Sequence, residues 1–387
     1  MRALRNLVAS LLMLGGIISM PILASATSQK VSPTTTTSTT TTTPPVKTTT
    51  VYQAPSPFDP ATSLVDGGKD LYHCSLIDPG VTSDQFITSS EILPDKVAEF
   101  HHAILFLVTP AQAAHARQLD QGGQGWTCFG APLDPSGSFD GTPWLGAWVP
   151  GHGPNVAPVG TGVPMPAGAL IVEQIHYNLL NVPAGDSTAD QSSVRLTTTP
   201  QAGSSLKAIT TSQFIAPPDL PCPKKVTGPL CSRDASLQDL VARFGQAAKN
   251  FVDNIEWICQ HHYEKLKPAT GTVSTTCTLP IAPGVIRQVS PHMHLIGAKQ
   301  KVALIMAAGG TKALVSVPHY SFDGQVTYDL KKPVVVKSGD FVRLTCTFDP
   351  TLRQKLPSLR SQPARYVTWG DGSTDEMCLA TLGVTAN

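Results

Sequence analysis

The sequence has little charge: only 14% of its 387 residues are Asp, Glu, Lys or Arg, and the formal net charge is +1. No basic patch is evident, so nucleic acid is not an expected partner. No two cysteines are spaced as C-x-x-C, which leaves a zinc ribbon or a thioredoxin-type motif without support. The chain does contain 34 prolines and 31 glycines, and this composition favours a turn-rich β protein over a helical one.

The N-terminus has the composition of an export signal. Arg2 and Arg5 precede an apolar run over residues 7–23, and an Ala-Ser-Ala cleavage motif follows. We therefore predict a signal peptide over residues 1–26. The alternative is an uncleaved membrane anchor, which Pro21 and the cleavage motif disfavour. No stable membrane insertion is expected after cleavage.

The segment after this signal is dominated by threonine. Residues 34–50 have almost nothing to bury, so we predict that residues 27–51 form a disordered linker. The eight cysteines of an exported chain are expected to form disulfides. Together these features predict a protein that is secreted, periplasmic or held at the cell surface.

Beyond residue 51, short apolar or alternating runs recur between clusters of Gly, Pro and Asp. This pattern is typical of antiparallel sandwich strands. We predict a mainly β fold with two tandem antiparallel, jelly-roll-like β-sandwich domains, over residues 52–204 and 205–387. The clearest strand-like runs are residues 103–108, 169–175, 302–306, 312–317, 333–336 and 341–346.

One segment departs from the strand pattern. The apolar residues between Leu237 and Ile255 keep helical spacing, and Asp234 or Ser236 is placed to cap the start of a helix. We therefore predict a helix near residues 235–262, inserted in a β domain.

Three histidine clusters have the character of metal ligands. His292 and His294 are two residues apart, so on a strand both imidazoles project from one face as a chelate. His101 and His102 are adjacent, and they can share a metal only at a β-bulge, at a strand end or through different ring nitrogens. His176 lies in an alternating strand. Each cluster taken alone is more often a surface or core histidine than a ligand.

A fourth element is Met377, which lies in a polar loop between acidic residues and a cysteine. Such a position is a poor one for core packing, and a thioether is a soft ligand that favours Cu(I) over Zn²⁺ or Fe²⁺. The pair His261 and His262 lies at the end of the predicted helix without an identifiable third partner, so we interpret it as one buried and one exposed histidine that bind no metal.

These elements, in this order, resemble the motifs of the copper type II, ascorbate-dependent monooxygenases. That family includes peptidylglycine α-hydroxylating monooxygenase and dopamine β-monooxygenase. Its motifs are a His-His pair, a Q-x-H-Y strand, an H-x-H pair and a D-E-M-C loop. Here they are His101-His102, Gln174-Ile175-His176-Tyr177, His292-Met293-His294 and Asp375-Glu376-Met377-Cys378.

The resemblance implies one copper ion in each domain. An all-imidazole set suits the first copper, which shuttles electrons. Its ligands would be His101, His102 and His176, with Gln174 and Tyr177 as supporting neighbours.

The resemblance implies that the second copper is the catalytic one. Its ligands would be His292, His294 and Met377, and the soft thioether would favour the Cu(I) form that binds O₂. The implied activity is hydroxylation of a C–H bond in a small organic or peptide-like substrate. It would use O₂ and an external one-electron reductant, either ascorbate or another donor.

The resemblance also implies two of the disulfides. Cys74 would pair with Cys128, and Cys346 with Cys378, which would fix the loop that bears Met377. The other four cysteines can pair in three ways. The short-loop choice among them is Cys222–Cys231 with Cys259–Cys277.

Several positions depart from the family pattern. Peptide-amidating members have an Arg two residues before the H-x-H pair and a Tyr four residues after the ligand Met. This chain has Ser290 and Thr381 there, which argues against C-terminal peptide substrates. Ala103 replaces a Met after the His-His pair, and the inserted helix is also extra. Between the domains we expect an open cleft lined by polar residues, without a large apolar interface.

Two alternatives stand beside the enzyme. One is an exported copper-binding or sensing protein, or an inactive two-sandwich relative that binds ligands. All six ligand positions are filled, which favours the enzyme. The other is a jelly-roll amidase that acts on glycans, and it gives no reason for Met377 or the histidine clusters.

Overall fold

The computed structural model describes residues 45–387 except residues 64–69, 129, 135–141, 152, 180, 181, 184, 269, 371 and 373. The predicted signal peptide and the linker up to residue 44 lie outside the described residues. Within them the protein is mainly β, as the sequence predicts. None of the helices in the described part of the chain is long and apolar enough to cross a membrane.

Ten strands form the N-terminal half of the described chain. They are β1 (Thr48–Gln53), β2 (Asp70–Ile77), β3 (Gln85–Leu93), β4 (Phe100–Val108), β5 (Trp126–Thr127), β6 (Trp144–Trp148), β7 (Asn155–Val156), β8 (Thr161–Met165), β9 (Leu170–Asn178) and β10 (Ser193–Pro200).

Eight further strands form the C-terminal half. They are β11 (Lys207–Ile215), β12 (Val273–Pro280), β13 (Gly284–Met293), β14 (Gly297–Ile305), β15 (Thr311–Val317), β16 (Tyr328–Val336), β17 (Phe341–Phe348) and β18 (Cys378–Thr385). Each of the six strand-like runs found in the sequence overlaps one of these strands.

The helices are few and short. They are α1 (Ala113–Leu119), α2 (Arg233–Phe244), α3 (Gln246–Cys259), α4 (Leu352–Lys355) and α5 (Pro357–Arg360). Single 3₁₀ turns cover Pro60–Thr62, Gln121–Gly123, Tyr263–Lys265 and Phe322–Gly324.

The predicted helical insertion is confirmed, but it consists of two helices, α2 and α3, where a single one was expected. Gly245 separates α2 from α3 with a φ of 81°, a conformation that glycine adopts without steric cost. The predicted cap is wrong, because Ser232, not Asp234 or Ser236, accepts the hydrogen bond of the first turn, from the Ala235 N–H.

The predicted linker ends earlier than expected. Residues 48–51 belong to β1, which pairs antiparallel with β10 from Thr48 opposite Thr198 to Gln53 opposite Ser193. Threonine is β-branched and suits an extended backbone, so a polar threonine run can form an edge strand when a partner strand is available.

Each half of the molecule buries its core between two sheets. In the N-terminal half, the sheet β5-β2-β9-β4-β6 packs on β1, β10, β3 and β8 through residues such as Leu105, Ile171 and Leu196. In the C-terminal half, β12-β17-β14-β15 packs on β11, β18, β13 and β16 through residues such as Leu344 and Ile286. Burying each such side chain stabilises the fold by about 1.5–3 kcal/mol, so the strands that carry the histidines are rigidly held.

One sheet runs through both halves. Strands β8 and β11 pair in parallel, with Thr161 opposite Lys207, and this joins the outer sheets in the order β1-β10-β3-β8-β11-β18-β13-β16. The domain boundary at residues 204 and 205 stays a prediction. The strand β11, which begins three residues after residue 204, already pairs with β8 of the N-terminal half.

The structure contains four disulfides, and they are the four expected pairs. They are Cys74–Cys128, Cys222–Cys231, Cys259–Cys277 and Cys346–Cys378. The first two span 54 and 9 residues, and the others 18 and 32. Cys259–Cys277 ties the end of α3 to β12, so the helical insertion is anchored to the C-terminal sandwich.

Candidate metal centres

The first three histidines meet because of a β-bulge in β4. The pairing of β4 with β9 shifts between Phe100 and His102, which leaves His101 as the additional residue. On a regular strand the adjacent His101 and His102 would point to opposite faces, and a bulge turns both toward one side. His102 lies directly opposite His176 of β9. The bulge was one of the three arrangements that the sequence left open.

The donor atoms of this cluster converge. The Nδ1 atoms of His101 and His102 are 3.0 Å apart, and those of His102 and His176 are 3.3 Å apart. One ring nitrogen from each of the three residues lies within 4.8 Å of the others. Nitrogens bound to one ion at about 2 Å are separated by about 3–3.5 Å, so the spacing fits a shared metal.

Two neighbours on β2 fix the orientation of His176. Its Nε2 lies 2.8 Å from Oδ1 of Asp70, so the Nε2–H donates to the carboxylate and leaves Nδ1 as a lone-pair donor. Burial opposes ionisation of Asp70, but the hydrogen bond from His176 brings the Asp70 pKa below its ordinary value. Tyr72 stacks on the His176 ring with 4.3 Å between centroids and 8° between planes.

The second cluster lies at the end of β13. His292 and His294 are two residues apart, and their ring centroids are 5.3 Å apart. On β18, Leu379 is opposite His292 and Cys378 is opposite Met293. His294 directly follows the last residue of β13, and Met377 directly precedes the first residue of β18, so both lie just beyond the last pair of this register, Met293 with Cys378. Met377 and His292 also line the same cavity.

Hydrogen bonds set the tautomers of the second pair. Nδ1 of His292 lies 2.6 Å from Oε1 of Gln325, and Nδ1 of His294 lies 3.3 Å from the carbonyl oxygen of Asp375. Because both partners are acceptors, each Nδ1 carries the proton and each Nε2 is left with a lone pair. This cluster therefore offers Nε2 donors, whereas the first offers Nδ1 donors.

The loop that bears Met377 is held on three sides. The carboxylate of Glu376 accepts from the N–H groups of His294 at 2.9 Å and Ile296 at 2.7 Å. The disulfide Cys346–Cys378 fixes the residue after the methionine. Arg243 of α2 reaches Asp375 through two hydrogen bonds of 2.7 and 2.8 Å.

Glycines make room for this ion pair. A Cβ on Gly370 or on Gly372 would come within 2.7 Å of the Asp375 carboxylate. Only a residue without a side chain fits at these two positions, which accounts for the Gly-x-Gly sequence ahead of the motif.

Burial favours the neutral form of four imidazoles in the two clusters. Burial lowers the pKa of His101 to about 3, and burial also lowers the pKa values of His102, His292 and His294. Metal ligation needs the neutral imidazole, so these sites require little proton release to bind an ion.

One phenylalanine contacts both clusters. The ring of Phe322 stacks on His101 at 5.7 Å between centroids and meets His294 edge-on at 5.9 Å. The two clusters are therefore one phenyl ring apart. A cavity of about 1100 Å³ also reaches both of them, since its walls include His102, His292 and Met377.

One of the two residues expected to support the first site lies elsewhere. Gln174 does lie beside the first cluster, where its Nε2 donates to the Gly130 carbonyl oxygen at 3.2 Å. Tyr177, however, was expected to support the first site, and it lies on the other face of β9. Its hydroxyl donates to Asp190 at 2.8 Å, because neighbouring residues on a strand point in opposite directions. As expected, His261 takes no part, and it lies 3.4 Å from Asp219.

Sequence reasoning missed several residues of the centres. Asp70, Tyr72, Gln325, Arg243 and Phe322 carry no motif of their own. Each reaches its cluster through contacts between distant parts of the chain, for example Asp70 across 106 residues to His176. Gly370 and Gly372, just before the D-E-M-C motif, are a local sequence feature that indicates close packing in this loop.

Comparison with known proteins gives one family. Residues 260–382, which contain His292, His294 and Met377, match the family model described as the copper type II ascorbate-dependent monooxygenase, C-terminal domain. No curated protein sequence matches the chain. A solved allantoicase structure is 9% identical in sequence to this chain, with a TM-score of 0.20, and the alignment covers 81% of each of the two chains. The Saccharomyces cerevisiae allantoicase shares 8% identity with the same score, over 85% of this chain and 80% of that one.

Proposed function

We propose that this chain, whose residues 260–382 belong to the C-terminal domain family of copper type II ascorbate-dependent monooxygenases, is a two-copper enzyme that hydroxylates a C–H bond. The observation that carries the proposal is the convergence of three imidazole nitrogens, from His101, His102 and His176. The rings of His292 and His294 lie 5.3 Å apart, and His292 and Met377 line the same cavity as His102. The second set would combine these two imidazoles with the thioether of Met377.

The donor chemistry of each set fits copper. His101, His102 and His176 would hold the first ion, and imidazoles accept both Cu(I) and Cu(II). His292, His294 and Met377 would hold the second, and the soft sulfur favours Cu(I). Copper in these sites would supply the one-electron chemistry that couples an external reductant such as ascorbate to the reduction of O₂ and the hydroxylation of substrate.

The protein residues supply positioning. Asp70 holds the tautomer of His176, Gln325 that of His292, and the Asp375 carbonyl that of His294. Because these partners are buried or half-buried, the ligand lone pairs are aimed before any ion arrives. The cavity beside His292 and Met377 brings a substrate to the second site.

The proposal is tested by counting copper and by measuring O₂ consumption. We expect two copper ions per purified chain. With ascorbate as the reductant, we also expect O₂ uptake when a substrate that the enzyme hydroxylates is present. One copper per chain, with no O₂ uptake in the presence of any candidate substrate, would instead identify an exported copper-binding or sensing protein.

The Met377→Ala variant tests the roles of the two sites. Loss of the thioether should reduce the copper content from two to one, or leave the second ion weakly bound, and abolish hydroxylation, while the first site stays full. Met306→Ala is the matched control, because Met306 is equally half-buried but lies away from both clusters. Full activity in the Met377 variant would overturn the assignment of the second site.

A further inference from the structure

The cavity between the clusters is less polar than expected. Its walls near the second cluster include Trp144, Phe251, Trp369 and Leu379, and Ile258 adds a further apolar side chain. Ser290 and Thr381 also line it, at the positions where peptide-amidating relatives carry Arg and Tyr. We infer, as a refinement that rests on the proposed function, that the substrate is an uncharged and largely apolar molecule, selected by the helical insertion.

The insertion forms part of the wall. Phe251 and Ile258 lie on α3, which packs through Val252 and Ile255 against Trp369. At the end of α2, Phe244 contacts Tyr72, the residue that stacks on His176. The insertion therefore reaches from the second cluster to the first and closes one side of the cavity with aromatic and aliphatic surface.

The side chains of the lining offer no cation to an anionic substrate. Among the described residues that line the cavity none is Lys or Arg, and Asp329 is the sole acidic side chain. Away from the copper ions themselves, a carboxylate, phosphate or sulfate group of a substrate would lose its hydration without gaining a counter-ion, which is costly in an apolar site. Asp329 is itself exposed and accepts a hydrogen bond from Gln288 at 3.1 Å, so it is solvated and partnered at the rim.

The surface of α3 supports an apolar occupant. Ile258 lines the cavity and is 45% exposed. Burying such apolar surface contributes roughly 25 cal/mol for each Å² removed from water. The preceding residue, Trp257, is 80% exposed and does not line the cavity, so it offers a matched position outside it.

Binding of three probes that differ only in charge tests the inference. They are 6-phenylhexan-1-ol, 6-phenylhexanoate and 6-phenylhexylammonium. The full chain is used free of metal, so that carboxylate and amine cannot ligate copper, and binding is followed by calorimetry and by the fluorescence of Trp144 and Trp369. We expect the alcohol to bind at least about tenfold more tightly than either ion, since burial of an unpaired charge costs more than 1.4 kcal/mol.

A pair of variants locates the binding. Ile258→Lys places a cation on the cavity wall, so it should weaken binding of the alcohol and shift the preference by about tenfold toward the carboxylate. Trp257→Lys adds the same charge outside the cavity, so it should change neither the affinity for the alcohol nor the preference among the probes. Equal binding of the three probes by the wild type, or equal effects of the two variants, would overturn the inference. Failure of the proposed function would appear in the copper count, which this experiment does not use.

Discussion

The carboxylate of Asp70 determines which nitrogen of His176 is available to a metal. It accepts from Nε2–H of His176 at 2.8 Å and from Nδ2–H of Asn178 at 2.7 Å. Because Oδ1 accepts two hydrogen bonds, the carboxylate keeps one orientation, and it fixes the orientation of the His176 ring. The Nδ1 geometry of the first cluster thus depends on a residue that binds no metal.

Replacing Asp70 with Asn should therefore weaken the first site without affecting the second. An amide has to orient its oxygen toward His176 and lacks the negative charge, so we expect a loss of about 10- to 100-fold in copper affinity at the first site. Competition with a Cu(I) chelator measures both affinities. Asp78→Asn is the control, since Asp78 directly follows the same strand and pairs with exposed Arg117. An unchanged first-site affinity would show that Asp70 has no positioning role.

Glu173 is a buried acid outside both clusters. It lies on the core face of β9, and neither carboxylate oxygen has a hydrogen-bond partner among the described residues. Burial, and secondarily the negative charge of Asp190, raise its pKa to about 8. Tyr177, on the same face of β9, donates to Asp190 and stays neutral. Glu173 is therefore protonated in the folded protein at neutral pH.

This raised pKa predicts a pH-dependent stability. The folded state holds the proton up to about pH 8 while the unfolded state loses it near 4.5, so the contribution of Glu173 is full below pH 4.5 and is lost as the pH rises to 8. Urea unfolding should show that Glu173→Gln is as stable as the wild type at pH 4.5 and more stable by a few kcal/mol at pH 8. Exposed Glu264→Gln should show no such difference. A constant difference between wild type and Glu173→Gln across this range would contradict the assignment.

Among the elements, α2 supports a site that lies on a different part of the chain. Arg243 clamps Asp375, whose carbonyl oxygen orients His294, and it also bonds Asp239 one turn earlier at 2.9 Å. Arg365 adds a second guanidinium to this group at 2.9 Å from Asp239. Removing one partner of such a partly buried network leaves the others uncompensated.

Arg243→Ala should loosen the Met377 loop. We expect weaker copper binding at the second site, loss of the sulfur contribution to its X-ray absorption spectrum, and an unchanged first site. Arg243→Lys keeps the charge but not the two parallel hydrogen bonds, so its recovery should be partial. Lys249→Ala removes an exposed ion pair of α3 and serves as the control. A full sulfur signal in Arg243→Ala would exclude this role of α2.

The elements also show where sequence reasoning reached its limit. Alternation and turn residues located the strands, because those signals are local. The bulge at His101, by contrast, follows from pairing between β4 and β9, and no local pattern sets that register. For the same reason Met377 was identified from its motif, whereas its clamp, Arg243, lies 132 residues from Asp375 and was not identified.

At the scale of the whole molecule, the two clusters come from different halves and approach each other across a shared cavity. The continuous sheet through β8 and β11 joins the halves, and the insertion spans the side of the cavity. The cavity wall combines polar residues with more apolar surface than the sequence predicted, because composition does not say which residues of two sheets will face each other. Phe322, in a single 3₁₀ turn, is the side chain that contacts a histidine of each cluster.

This position makes Phe322 a test of communication between the clusters. Under the proposed function each turnover requires electrons to pass between the sites, and removing the ring opens a gap that water fills. Phe322→Ala should bind two copper ions with unchanged affinity, yet slow the transfer that follows mixing of the reduced protein with O₂ and substrate. A tenfold slowing corresponds to a barrier higher by about 1.4 kcal/mol. Stopped-flow and freeze-quench measurements of copper oxidation follow it directly.

Two comparisons separate this role from general damage to the fold. Phe341→Ala truncates a phenylalanine that is 40% exposed and contacts neither cluster in the described structure, so it should transfer electrons at the wild-type rate. Phe322→Tyr keeps the ring and should restore most of the rate. If Phe322→Ala transfers electrons as fast as the wild type, the path between the sites runs elsewhere, through the cavity and its occupant, and the Phe322 ring serves only to pack the two histidines.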